Sequence, residues 1–64
     1  METIKVIVRG NTYEYRQAIR EDGGNWDAEN RYWYFLCGNR QAAVSALRHW
    51  NDRANLGTWA YEAK

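Results

Sequence analysis

Asn25-Trp26-Asp27, Ala28-Glu29-Asn30 and Arg31-Tyr32-Trp33-Tyr34-Phe35-Leu36 decide how this 64-residue chain is read. Two runs suited to strands flank a short polar break, the pattern of a hairpin: a short strand over 25–27, a turn over 28–30, and a return strand over 31–36. Successive side chains on a strand point to opposite faces. Trp33 and Phe35 therefore share one face, and Tyr32, Tyr34 and Leu36 share the other. Both faces are aromatic or apolar. Helices can cover only one of them, and the sequence leaves open which one it is.

Upstream, Ile4, Val6 and Val8 alternate with Thr3, Lys5 and Arg9, so Thr3 to Arg9 reads as a strand, with Ile7 adding an apolar residue to the polar side. Gly10-Asn11-Thr12 is a turn, with Asn11 or Thr12 placed to cap a helix over Tyr13 to Glu21. On that helix Tyr15, Ala18 and Ile19 fall on one face, while Glu14, Arg16, Gln17 and Arg20 face water. Asp22-Gly23-Gly24 ends it, because glycine accepts the left-handed conformation at a helix C-terminus.

Downstream, Cys37-Gly38-Asn39 breaks the return strand, and Asn39 caps a second helix from Arg40 to about Arg53. Its apolar stripe is Ala43, Val44, Leu47 and Trp50, and Arg48 and Asp52 are spaced to pair on its wet side. After an Asn55-Leu56-Gly57 turn, Thr58 to Glu62 alternates as a last strand. The order is β-α-β-β-α with that further strand at the end. It makes a single α+β domain over residues 1–64, a small, mostly antiparallel sheet with two helices on one face.

A chain of this length has room for one core and usually needs disulfides, metal, partners or dense packing to hold it. Cys37 and His49 are its only cysteine and histidine, too few for an internal disulfide or a tetrahedral metal site. No metal or cofactor is expected. Aromatics make up 16% of the chain, four Trp and five Tyr among them, and each large ring can bury roughly 150–250 Å². The net charge of +1 argues against gripping nucleic acid by bulk charge. Only Lys5 and Lys64 are lysines, and arginine with aromatics is what contact surfaces favour. Ile4 to Val8 is too short for a signal peptide, and no stretch approaches the roughly 20 apolar residues of a membrane span. A cytoplasmic protein without a membrane partner is expected, a complete small gene product opening on Met1.

Gly10-Asn11-Thr12, Arg16, Asp22-Gly23-Gly24-Asn25-Trp26-Asp27 and Arg31-Tyr32-Trp33-Tyr34-Phe35, followed by a helix, together resemble the HARP-like pattern. There a strand and helix lead to a glycine turn, a Trp-Asp pair and a basic-x-Trp-x-Phe strand. The resemblance spans roughly Ile4 to Trp50. Similar modules occur in small phage and plasmid proteins and beside annealing helicases, where they are linked to branched DNA. The resemblance implies the β-α-β-β-α fold and a leaning towards DNA-related work. With no ATPase adjoining, it implies no helicase activity.

Cys37 and His49 could be imagined as nucleophile and base, yet no orienting carboxylate or oxyanion site accompanies them, and Asp27 suits turn amides better than acid catalysis. A protein that is not an enzyme is expected. The candidate nucleic-acid or partner-binding residues are Lys5, Arg9, Trp26, Arg31, Tyr32, Tyr34, Arg40 and Arg48. Rings with cations on a sheet surface stack nucleobases, contributing about 1–3 kcal/mol per base. Arg40 and Arg48, aligned with Arg53, would follow a phosphate backbone. Two functions fit. One is a small non-catalytic module binding single-stranded or branched DNA or a nucleoprotein complex. The other is a phage- or plasmid-type inhibitor or adaptor, such as an anti-CRISPR, docking on a host protein of the nucleic-acid machinery. Packing of both aromatic sets is the bland alternative, the second set lying under the Trp59-Tyr61 strand or against the mate in a homodimer.

Overall fold

The computed structural model describes residues 3–52 and 57–63. The strands are β1 (Ile4–Gly10), β2 (Asn25–Asp27), β3 (Tyr32–Cys37) and β4 (Thr58–Glu62). They form one sheet in the order β2-β3-β1-β4, every neighbouring pair antiparallel. The helices are α1 (Arg16–Glu21), preceded by a 3-10 turn over Tyr13–Tyr15, and α2 (Arg40–Asn51). This is the expected α+β arrangement. Ile4, Val6, Val8, Trp33, Phe35 and Ala60 from the sheet close on Ile19 of α1 and on Ala43 and Trp50 of α2, so both helices lie on one face. The hairpin ambiguity is thereby resolved: Trp33 and Phe35 point to the helices.

Local chemistry explains the element ends. Asn39 takes an extended conformation and its Oδ1 accepts from the Ala42 N–H at 2.8 Å, which starts α2 where the sequence placed it. Thr12 precedes the first helical turn but makes no side-chain cap bond, and Asn11 instead donates from Nδ2 to Glu14 Oε2 at 3.4 Å. Without a cap that segment tightens into a 3-10 turn before α1 begins. Gly10 has φ +95°, and a Cβ there would collide with the Gly57 carbonyl oxygen and stand 2.7 Å from the Trp59 ring. Only glycine lets the two edges of that junction meet.

Several finer expectations are corrected. The hairpin turn runs one residue further than expected, since Arg31 sits at φ 58° with its N–H donating to the Asp27 carbonyl at 2.7 Å. Val44 and Ala18 face outward, and Ala46 takes the place of Val44 beside the expected Ala43, Leu47 and Trp50 in the α2 stripe. Among the described residues Arg48 and Asp52 form no ion pair. An arginine placed before its acid is the weaker of the two helical orders, and a gain of a few tenths of a kcal/mol does not fix two exposed chains. Arg53, Asn55 and Leu56 lie outside the described residues.

The last strand does not lie over the second sheet face. It pairs along β1, from Val6 with Glu62 to Gly10 with Thr58, because a strand's N–H and C=O groups are satisfied by a neighbouring edge and not by a ring face. Its own outer edge is met by Asn51, which accepts from the Ala60 N–H at 2.9 Å and donates to the Ala60 carbonyl at 3.1 Å. That side chain stands where a fifth strand would pair.

Candidate binding surfaces

Alternation puts Lys5, Ile7 and Arg9 of β1 on the side away from the helices, and pairing brings the same phase of the other strands beside them. Ile7 stands between Tyr34 of β3 and Tyr61 of β4, and Arg9 is opposite Trp59. Leu36 pairs with Lys5. Four of the eight expected residues, Lys5, Arg9, Tyr32 and Tyr34, thus meet on one surface with Leu36, Trp59 and Tyr61. No helix lies over it.

The cations on this face bind phenols. Lys5 Nζ donates to the Tyr32 hydroxyl at 3.0 Å and stands 5.1 and 4.8 Å from the Tyr32 and Tyr34 ring centres. That hydrogen bond holds the lysine's pKa above its ordinary value. Arg9 Nε donates to the Tyr61 hydroxyl at 2.8 Å while its guanidinium carbon lies 5.0 Å from the Tyr32 ring centre. Lys5 and Arg9 have no carboxylate partner within 4.0 Å among the described residues. The neighbouring acid, Asp27, is turned inward on its own turn. Its Oδ1 accepts from the Glu29 and Asn30 N–H groups, and its Oδ2 from Asn30 Nδ2, all at 3.0 Å. The Asn30 side chain and amide hold the carboxyl below its usual range, with smaller help from Glu29 and Lys5. Asp27 is a turn-former, as the sequence suggested.

Tyr32 is only 8% exposed, sealed by the two cations, and Ile7 is buried as well. Trp59 at 49%, Tyr61 at 39% and Leu36 at 59% are open, and Tyr34 is half-buried. The face is a packed layer whose upper surface presents rings and two positive charges. Trp59 and Tyr61 were not among the expected site residues. Their alternation with Thr58 and Ala60 was visible, but the strand they pair with was not.

The remaining four expected residues lie elsewhere. Trp26 pairs with Trp33 in register, so it stands on the helix side at the sheet edge. Arg31 is at the hairpin turn. Arg40 reaches β4, its Nη1 and Nη2 donating to Glu62 at 2.6 and 3.1 Å, which lowers the glutamate's pKa. Arg48 is exposed on α2. These two helix arginines do not join Lys5 and Arg9, which point from the opposite side of the sheet.

On the helix side Cys37, His49 and Asp22 line one groove. His49 Nε2 lies 3.8 Å from Asp22 Oδ2, but the Cys37 sulfur makes no hydrogen bond to the imidazole. Burial pushes the Cys37 thiol pKa up, away from the reactive thiolate. Among the described residues no group of three His, Cys, Asp or Glu side chains gathers as a metal site, and no helix is long and apolar enough to cross a membrane. No family model matches the chain, and no curated protein or solved structure was found to be similar to it.

Proposed function

We propose that the protein is a small non-catalytic module that binds single-stranded or branched DNA, free or within a nucleoprotein complex, on the open sheet face. The observation that carries this reading is the surface of Tyr34, Trp59 and Tyr61 around Lys5 and Arg9, with neither cation spent on a carboxylate. Stacking on exposed rings tolerates any base, and the two cations stand ready for neighbouring phosphates. The hairpin's resemblance to HARP-like modules supports the same direction.

A fluorescently labelled single strand and a branched duplex, titrated at several salt concentrations, test it. Two phosphate contacts on a single strand give a slope of about −1.4 in log K against log salt, so affinity falls about sevenfold between roughly 50 and 200 mM salt. Tyr34→Ala should weaken binding about 5- to 160-fold, the loss of one stacked base at about 1–3 kcal/mol, with the fold retained. Absence of binding even at low salt overturns the reading.

A second reading is supported by Leu36, an exposed aliphatic chain at the Lys5 end of the face that stacking does not need. With the exposed Tyr61 and the half-buried Tyr34 it extends the face into a contiguous apolar patch, which suits a protein partner, as for an anti-defence inhibitor docking on a host protein, or a second copy of this chain. Leu36→Ser, which adds no charge beside Lys5, leaves DNA binding intact under the first reading and removes protein docking under the second.

A further inference from the structure

A separate cleft of about 330 Å³ opens on the helix side, between the Tyr13–Tyr15 turn with α1 and the Trp26 edge of the sheet. Its walls are Thr12, Tyr13, Arg16, Arg20, Trp26 and Trp33. Trp33 is buried and forms the floor, its ring centre 5.4 Å from that of Trp26, which is 47% exposed. Arg20 places its guanidinium carbon 5.9 Å from the Trp33 ring centre. Arg16 lies 4.1 Å from the Tyr13 ring centre, with Nη1 held by the Tyr13 carbonyl at 2.6 Å. These two arginines stand four apart on α1, both line the cleft, and neither has an acidic partner within 4.0 Å among the described residues. Among the described residues no acidic side chain lines the cleft.

Planar apolar walls select a flat ring, and two unpaired guanidiniums beside them select an anion attached to it. Guanidinium forks match phosphate geometry, and a volume near the lower end of ligand pockets, about 300–1,000 Å³, suits one small molecule. We infer that this cleft binds a single nucleotide through its phosphate, the base against Trp26 and the phosphate between Arg16 and Arg20. The nucleotide is either free or the 5′-phosphorylated end of a strand. The inference does not rest on the sheet face: Trp26 and Trp33 point away from Tyr34 and Tyr61 across the sheet.

Tryptophan fluorescence titrations with adenosine 5′-monophosphate, adenosine, a 5′-phosphorylated oligonucleotide, its 5′-hydroxyl form and a phosphotyrosine peptide separate the possibilities. Binding of adenosine monophosphate with adenosine at least about tenfold weaker is expected, because a hydrogen bond to a charged group is lost. Preference for the phosphorylated over the hydroxyl oligonucleotide assigns a strand end, and equal weakness of both assigns the free nucleotide. Arg20→Gln, a change on an exposed helix position, should weaken adenosine monophosphate about tenfold with the circular dichroism unchanged. Tyr34→Ala should leave this binding unaltered even where it weakens strand binding on the sheet face. Tighter binding of the phosphotyrosine peptide, equal binding of adenosine, or an unaltered Arg20→Gln variant would each overturn the inference.

Discussion

Ile7→Ala tests whether the open sheet face is packed in its own right. Ile7 is 6% exposed although no helix lies above it, because Tyr34 and Tyr61 close over it from the two flanking strands. The substitution removes three carbon groups, about 2.4 kcal/mol of transfer free energy at roughly 0.8 each. In a sealed core an unfilled cavity raises Ile→Ala to as much as about 5 kcal/mol. Here the tyrosine rings can settle or water can enter, so the expected loss stays near about 2–2.5 kcal/mol. A 64-residue domain has on the order of 3–10 kcal/mol in total. Urea unfolding followed by tryptophan fluorescence reads the change. With a slope of about 1 kcal/mol per molar, the midpoint falls by about 2 M. A loss below about 0.5 kcal/mol, the range of ordinary surface substitutions, would refute the idea that the tyrosines form a closed layer over Ile7. A wild-type midpoint that rises with protein concentration would refute it differently, by showing that a second copy covers the face.

Gly10→Ala and Gly23→Ala form a controlled pair, since both glycines have positive φ, at +95° and +96°, but only Gly10 faces a clash, with nothing within 4 Å of a Cβ at Gly23. Gly23→Ala should cost the backbone strain alone, about 1–2 kcal/mol, and Gly10→Ala distinctly more, with a shifted Trp59 emission; equal midpoints in urea would contradict the β1–β4 junction described above. Asp27 supplies a pH dependence. Its folded pKa is depressed below 3.8, so it binds fewer protons folded than unfolded in acid, and its contribution is present above that range and lost as pH falls through the folded value. Wild type should therefore exceed Asp27→Asn in urea midpoint near neutral pH, with the gap closing in acid; a gap that widens in acid would reverse the assignment.

The fold was legible where the signal is local. Alternation over Ile4 to Val8 and over Tyr32 to Leu36 sets which side chains share a face, and the Asn39 cap needs only its next three residues. What the sequence withheld was long-range. A three-residue strand has no phase of its own, so the side on which Trp26 stands follows from its pairing with Trp33 and from nothing nearer. Trp59 and Tyr61 join the open face only because β4 pairs with β1 in that register. Arg16 and Arg20 read as a solvated helix flank, and in isolation they are one. The Trp26 edge of the hairpin, brought against that flank by the sheet, turns it into the wall of a cleft. The choice between Val44 and Ala46 for the α2 stripe was similarly beyond a helical pattern, since both lie beside the seam and the small residue fits closest to the sheet.

The distribution of the aromatics also alters what the net charge of +1 can mean. Phe35 stacks on Trp50 at 6.4 Å in the core between the sheet and α2. On the open side Tyr34 and Trp59 lie with Tyr32 and Tyr61, and the hydroxyls of the last two give Lys5 and Arg9 somewhere to bond other than a carboxylate. The nearby Asp27 carboxylate is consumed by its own turn, and Glu62 is drawn to Arg40 on the far side. Among the described residues the acids thus do not neutralise this face at contact range. A total near zero argues against a broad basic surface, but it leaves room for two cations held in place by phenols, which act over one or two phosphates and no further. Such a face has to rely on its rings for affinity, and its salt dependence should be as shallow as its charge is local.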